Sequence, residues 1–160
     1  MEHGSRTDRT ALVVDDDVFV VSALAELLEE EGYDVHTASN GFSALRQASE
    51  LHPAIMLLDL ALPERSGVDL LKDLRSEPST RDMAIVIVTG HADRLSETQL
   101  AEIDGLITKP FDVVELTSTV QRAMQRAAIR RAEVAPVAAA AHRDSPVRNR
   151  RVASRSRGRR

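Results

Sequence analysis

Ala54-Ile55-Met56-Leu57-Leu58-Asp59 decides how the chain folds. Five apolar residues run without alternation and end in one carboxylate. An apolar run with no polar face predicts a strand buried on both sides, as in a parallel sheet covered by helices. Asp59 then stands at the strand's carboxyl end, the edge of an open α/β sheet where ligands bind. On this stretch alone the carboxylate opens either a binding site or a surface turn, since Leu60-Ala61-Leu62-Pro63 follows.

The flanking sequence supplies the rest of the sheet. Thr10-Ala11-Leu12-Val13-Val14 predicts a buried strand ending in Asp15-Asp16-Asp17. A helix N-terminus accounts for one or two of these acids, most naturally Asp17. Val18 to Glu31 predicts a helix with Val21, Leu24, Leu27 and Leu28 on one face, and Gly32 as its stop. Asp34 to Ala38 alternates and predicts a half-exposed edge strand, with His36 at the surface. A second helix spans about Phe42 to Leu51, with Phe42, Leu45 and Ala48 facing the core. Gly67 opens a third, with Val68, Leu70, Leu71 and Leu74 as its apolar positions. Met83 to Val88 predicts a buried strand ending in Thr89-Gly90. A short helix, Ser96 to Ile103, carries Leu95, Leu100 and Ile103, and Gly105 to Thr108 is a last strand ending in Lys109-Pro110. Asp112 and Glu115 mark the cap of a helix to about Arg131 with Val113, Leu116, Val120, Ala123 and Ala127 as its stripe. Five strands alternating with helices predict a doubly wound α/β domain.

Composition narrows the function. Aromatic residues make up 2%, so the core must be aliphatic, and the absence of Cys excludes disulfides, thiolate metal sites and cysteine nucleophiles. No apolar run approaches the ~20 residues of a membrane span. No apolar segment follows Met1 to Arg6, so the expectation is a cytoplasmic protein without a secretory signal. The net charge of −4 hides an asymmetry. Residues 130–160 carry ten Arg against Glu133 and Asp144, while the rest carries eleven basic and twenty-three acidic groups. The organisation expected is a flexible N-terminus (1–9), a folded domain (10–131) and a disordered Ala/Arg-rich tail (132–160).

The unusual polar residues all follow strands. Asp15 and Asp16 follow the first, Asp59 the third, Thr89 the fourth and Lys109 the fifth, and a parallel sheet gathers those ends on one edge. Clustered carboxylates need a cation, and an all-oxygen donor set suits Mg²⁺. Asp59 can then act as a nucleophile toward phosphorus. Mg²⁺, the Thr89 hydroxyl and the Lys109 ammonium are the groups that hold a transferring phosphoryl group, and Gly90 leaves room for it.

Leu12-Val13-Val14-Asp15-Asp16-Asp17, Met56 to Pro63, Gly67, Val88-Thr89-Gly90 and Thr108-Lys109-Pro110-Phe111 together resemble the receiver domain of two-component response regulators. The resemblance covers about residues 9–131 and implies a flavodoxin-like strand order, 2-1-3-4-5. It implies Asp59 as phosphoacceptor, Asp16 as a direct Mg²⁺ ligand, Asp15 as a ligand through water and the Ala61 carbonyl as the third protein ligand. Thr89 and Lys109 match the residues that hold the phosphoryl group, and a cis bond before Pro110 aims the lysine. The implied partner is a histidine kinase or histidine phosphotransfer protein, with output by protein contact from a monomer or a phosphorylation-dependent dimer. Mg²⁺-dependent self-phosphorylation and slow self-dephosphorylation are the only implied reactions. Two departures stand out: Leu106 replaces the aromatic three residues before the lysine, and the segment from Thr89 to Lys109 is shorter than the family pattern.

Other classes fit less well. Three Asp after the first strand would repel a cofactor's phosphate, and no Gly-rich phosphate loop is present. An Asp-nucleophile phosphatase usually has a second acid two residues on, where this chain has Ala61. The full set of acids, Thr and Lys argues against a pseudo-receiver. The Arg-rich tail could bind nucleic acid or another polyanion by counterion release. Deleting residues 132–160 is expected to leave labelling of Asp59 by acetyl phosphate and Mg²⁺ intact, and its loss in that truncation would refute the assignment of the site to residues 10–131.

Overall fold

A computed structural model describes residues 9–141, with side-chain surroundings through residue 134. Five parallel strands form one sheet: β1 (Thr10–Val14), β2 (Asp34–Ala38), β3 (Ile55–Leu58), β4 (Ala84–Thr89) and β5 (Gly105–Thr108), in the order β2-β1-β3-β4-β5. The helices between them are α1 (Val18–Glu30), α2 (Gly41–Leu51), α3 (Gly67–Ser76), α4 (Glu97–Glu102) and α5 (Val113–Ala141). This is the doubly wound order implied by the resemblance.

Hydrophobic pattern sets the layers. Every residue of β1, β3 and β4 is buried, because helices cover both faces. One face packs Leu12, Met56, Leu58, Ile85 and Ile87 against Leu70, Leu71 and Leu74 of α3. The other packs Val13, Ile55, Leu57 and Val86 against Leu24 and Leu28 of α1 and Leu116, Val120 and Ala123 of α5. Each fully buried Leu, Ile or Val contributes about 2 kcal/mol. With one Tyr and three Phe in the chain, aliphatic burial is the main driving force. Strand β2 lies at the edge, and His36 there is partly exposed beside Asp34.

Local signals behave as their chemistry dictates. Asp17 caps α1 by accepting from the Phe19 and Val20 amides, and Gly32 follows that helix at φ +90°. Ser96 and Gln99 form a reciprocal capping box on α4, which has only six residues. That length agrees with the shortened segment between Thr89 and Lys109.

The structure corrects several expectations. Phe42 does not face the core: α2 begins at Gly41 and buries Gly41, Ala44 and Ala48, which leaves Phe42 57% exposed. Helical spacing from Gly41 sets that face, so the aromatic falls beside it. Val113, the first residue of α5, and Leu100 are also exposed. Helix α5 runs to Ala141, past the end expected near Arg131. Alanine has the highest helix propensity, and the alanines after Arg131 continue the helix. The expectation of disorder for residues 142–160, and that of flexibility for residues 1–8, lie outside the described residues.

At the amino-terminal edge of the sheet a buried acid ties three elements together. Asp104, just before β5, accepts from Arg75 Nη2 of α3 at 3.0 Å, Arg130 Nη1 of α5 at 2.7 Å and the Ile85 amide of β4 at 2.9 Å. Removing it leaves two guanidinium groups without their acid in a half-buried site. Asp104→Ala is expected to lower stability by about 3 kcal/mol, read as a fall in urea midpoint at constant slope. A midpoint equal to the wild type's would contradict this role.

Candidate functional site

The parallel register carries β1, β3, β4 and β5 to a common carboxyl edge. Val14 pairs with Leu58, Leu58 with Ile87, and Thr89 with Thr108. Each strand therefore hands its next residue to the same rim: Asp15, Asp59 and Lys109, with Thr89 the last residue of β4.

The three consecutive acids divide by role. Asp17 is spent on the α1 cap. Asp15 is buried, and its Oδ1 accepts from the Asp17 amide at 2.9 Å. Asp16 is exposed at the rim. One carboxylate oxygen from each of Asp15, Asp16 and Asp59 lies within 4.8 Å of the others.

Lys109 closes the arrangement. Its Nζ donates to Asp15 Oδ2 at 2.7 Å and to Asp59 Oδ2 at 3.0 Å. The Lys109–Pro110 bond is cis. The other oxygen of Asp59, Oδ1, accepts from the Ala61 amide at 3.2 Å. Thr89 is fully buried and its Oγ1 accepts from the His91 amide at 3.1 Å. Of the residues named from the sequence, Asp15, Asp16, Asp59, Thr89 and Lys109 meet at this rim, and Ala61 reaches it through its amide.

The ionisation states follow from these partners. Burial pushes the Asp59 carboxyl up, but Lys109, the Ala61 amide and the Thr89 hydroxyl outweigh it and hold it below the usual range. Burial raises Asp15, and the neighbouring Asp59 charge adds to that, against the lowering pull of Lys109 and the Asp17 amide. Burial lowers Lys109, but its bonds to both acids reverse the sign and raise it. Lys109 and the Ala61 amide thus favour the ionised form of Asp59, the form a carboxylate nucleophile uses.

Charge and donor chemistry fit a divalent cation. Three carboxylates face one ammonium, so the site keeps an excess of negative charge, and its donors are all oxygens. That set favours a hard ion. A groove of about 460 Å³ between α1 and the β2–α2 turn opens beside Asp15 and Asp16 and is lined by Ser22, Thr37, Ser39 and Ser43. Gly90 has nothing within 4 Å of where a Cβ would stand, so the space beside Thr89 is open.

Two features escaped the sequence. The Ala61 amide is a donor to Asp59, which no side-chain pattern signals. The far edge is fixed by Arg75, Asp104 and Arg130, whose only clue is an acid directly before a strand.

Comparison with known proteins agrees with this geometry. Residues 11–121 match the family model described as the response regulator receiver domain. The transcriptional regulatory protein KdpE of Mycobacterium tuberculosis is 37% identical over 115 residues, which cover 72% of this chain and 50% of that protein. The phosphate regulon regulator PhoB of Escherichia coli is 33% identical over 120 residues, covering 74% and 52%. The chain thus spans about half the length of these relatives. The response regulator TrrA of Thermotoga maritima, solved in complex with Mg²⁺ and BeF, superposes with a TM-score of 0.66 at 30% identity, covering 72% of this chain and 98% of that one. With its sheet order, its rim of acids and its matched residues, the chain belongs to the receiver domain family of two-component response regulators.

Proposed function

We propose that Asp59 accepts a phosphoryl group from a histidine kinase or histidine phosphotransfer protein. Convergence of Lys109 on both Asp15 and Asp59, with Asp16 alongside, is the observation that carries this reading. An Asp59 oxygen attacks phosphorus while the bond to the donor's imidazole nitrogen breaks, and the nitrogen keeps the electron pair. Ionised Asp59 needs no general base for this step. Asp15, Asp16, Asp59 and the Ala61 carbonyl are the groups that would hold Mg²⁺. Bound there, the ion would neutralise charge on the transferring phosphoryl oxygens. Lys109 would pair with one of those oxygens once Asp59 is phosphorylated. The Thr89 hydroxyl, at the end of β4, can donate to another.

Output follows from the same residues. Leu106, paired with Ile87 two residues before Thr89, is half-buried against the adjoining core. An aliphatic side chain has no hydroxyl and no ring to swing, so the surface signal differs from that of receivers with an aromatic at this position. The protein acts as a cytoplasmic signalling protein through contacts with other proteins. Its own chemistry is Mg²⁺-dependent phosphorylation and slow hydrolysis of the product. An Asp-nucleophile phosphatase is disfavoured because Ala61 offers no acid to protonate a leaving group. Among the described residues no helix is long and apolar enough to cross a membrane.

Incubation with acetyl phosphate and Mg²⁺ should add one phosphoryl group by intact mass, and Asp59→Asn should add none. Equal labelling of Asp59→Asn would sink the assignment. Rapid turnover of many phosphate esters would favour the phosphatase instead.

A further inference from the structure

The segment from Asp59 to Ser66 carries the nucleophile and the Ala61 peptide, so its shape sets the site. Its inner side is fixed. The Gly67 amide donates to the Leu60 carbonyl at 3.0 Å. A Cβ on Gly67 would lie 2.4 Å from the Asp59 carbonyl oxygen, so only glycine permits this approach. Leu60 is buried, and Leu62 packs against the same core.

The outer end is fixed by one side chain, Arg65. Its Cβ, Cγ and Cδ lie 3.2–3.4 Å from where a Cβ on Gly41 would stand, so its stem covers the first residue of α2. Its guanidinium carbon sits 5.6 Å from the centre of the Phe42 ring. The same group forms an ion pair with Asp73 of α3. Arg65 therefore clamps the loop to two helices. This explains why Phe42, an aromatic in a chain nearly without them, lies outside the core.

The residue before the clamp shows why one is needed. Glu64 adopts φ +68°, a region that non-glycine residues occupy only when their surroundings over-determine them. The Arg65 amide donates back to the Pro63 carbonyl at 2.7 Å, completing a tight reversal. Releasing Arg65 frees Glu64 to relax, and the path of the chain back to Ala61 loses its outer anchor.

We infer that Arg65 is a positioning residue for the phosphoacceptor loop: through Phe42 and Asp73 it orients the Ala61 peptide, whose amide donates to Asp59 and whose carbonyl would hold the cation. The inference rests on the phosphoacceptor reading above. Arginine suits the task because its planar group stacks on a ring face while its N–H groups engage a carboxylate. Lysine keeps the charge without the fork.

The test titrates MgCl₂ into ¹⁵N-labelled protein and follows backbone amides, together with hydrogen exchange at the Ala61 amide. Arg65→Met should weaken Mg²⁺ binding about tenfold, the loss usual when the support of a ligand is removed. It should also speed exchange at Ala61. Arg65→Lys should recover part of the affinity. Phe42→Leu, at an exposed position, should shift both readouts in the same direction by a smaller factor, and it decides the matter if Arg65→Met does not fold. Wild-type affinity and exchange in the folded variants, with wild-type protein still taking a phosphoryl group on Asp59, would overturn the role of Arg65 alone. A wild-type protein that takes no phosphoryl group would overturn the phosphoacceptor reading and the role of Arg65 with it.

Discussion

One ammonium group between two carboxylates holds the working edge of this protein together. Asp15 and Asp59 are both buried and face each other across adjoining strands. At about 4 Å and an effective dielectric near 20, two like charges cost about 4 kcal/mol, and a cation between them more than reverses the sign. Lys109 supplies that cation from 94 residues beyond Asp15 and 50 beyond Asp59. Its side chain keeps 24% of its surface exposed, so the charge is available to a newcomer as well as to the acids. The same group can thus stabilise the resting state and accept a phosphoryl oxygen.

Everything else in the domain serves that convergence. Parallel pairing aligns the carboxyl ends of four strands, and aliphatic packing on both faces makes the alignment rigid. At the opposite edge, Asp104 with Arg75 and Arg130 ties α3, β4 and α5 to the start of β5. Strand β5 has four residues and one sheet neighbour, yet it must deliver Lys109 to within 3.0 Å of Asp59. The buried ion cluster at its root supplies the restraint that a short edge strand lacks. Gly67 and Arg65 do the equivalent for the loop after β3.

The readable part of the sequence was the part governed by local rules. Unbroken runs such as Ile55 to Leu58 and Ala84 to Val88 could only be buried strands, and the polar residue after each marked the functional rim. Capping residues Asp17 and Asp112 announced helix starts because their side chains act within three residues. Hydrophobicity alone assigns Phe42 to the core, where it does not lie. Its real partner, Arg65, is far away in sequence and belongs to another element. Asp104 went unnoticed for the same reason: each of its donors lies on a different segment. The end of α5 was not legible because an alanine-rich stretch carries no apolar stripe to read yet favours the helix by propensity. The long-range ion pairs needed coordinates, whereas the fold and the rim did not.

The central claim is electrostatic, so it is tested most directly by titrating the Asp59 carboxyl carbon by NMR in metal-free protein and in Lys109→Met. With Lys109 present, Asp59 should ionise below the usual aspartate range, because burial is outweighed by the ammonium together with the Ala61 amide and the Thr89 hydroxyl. With Lys109 gone, that penalty is left less opposed and the titration should move upward. An Asp59 that titrates identically in both proteins would contradict the account.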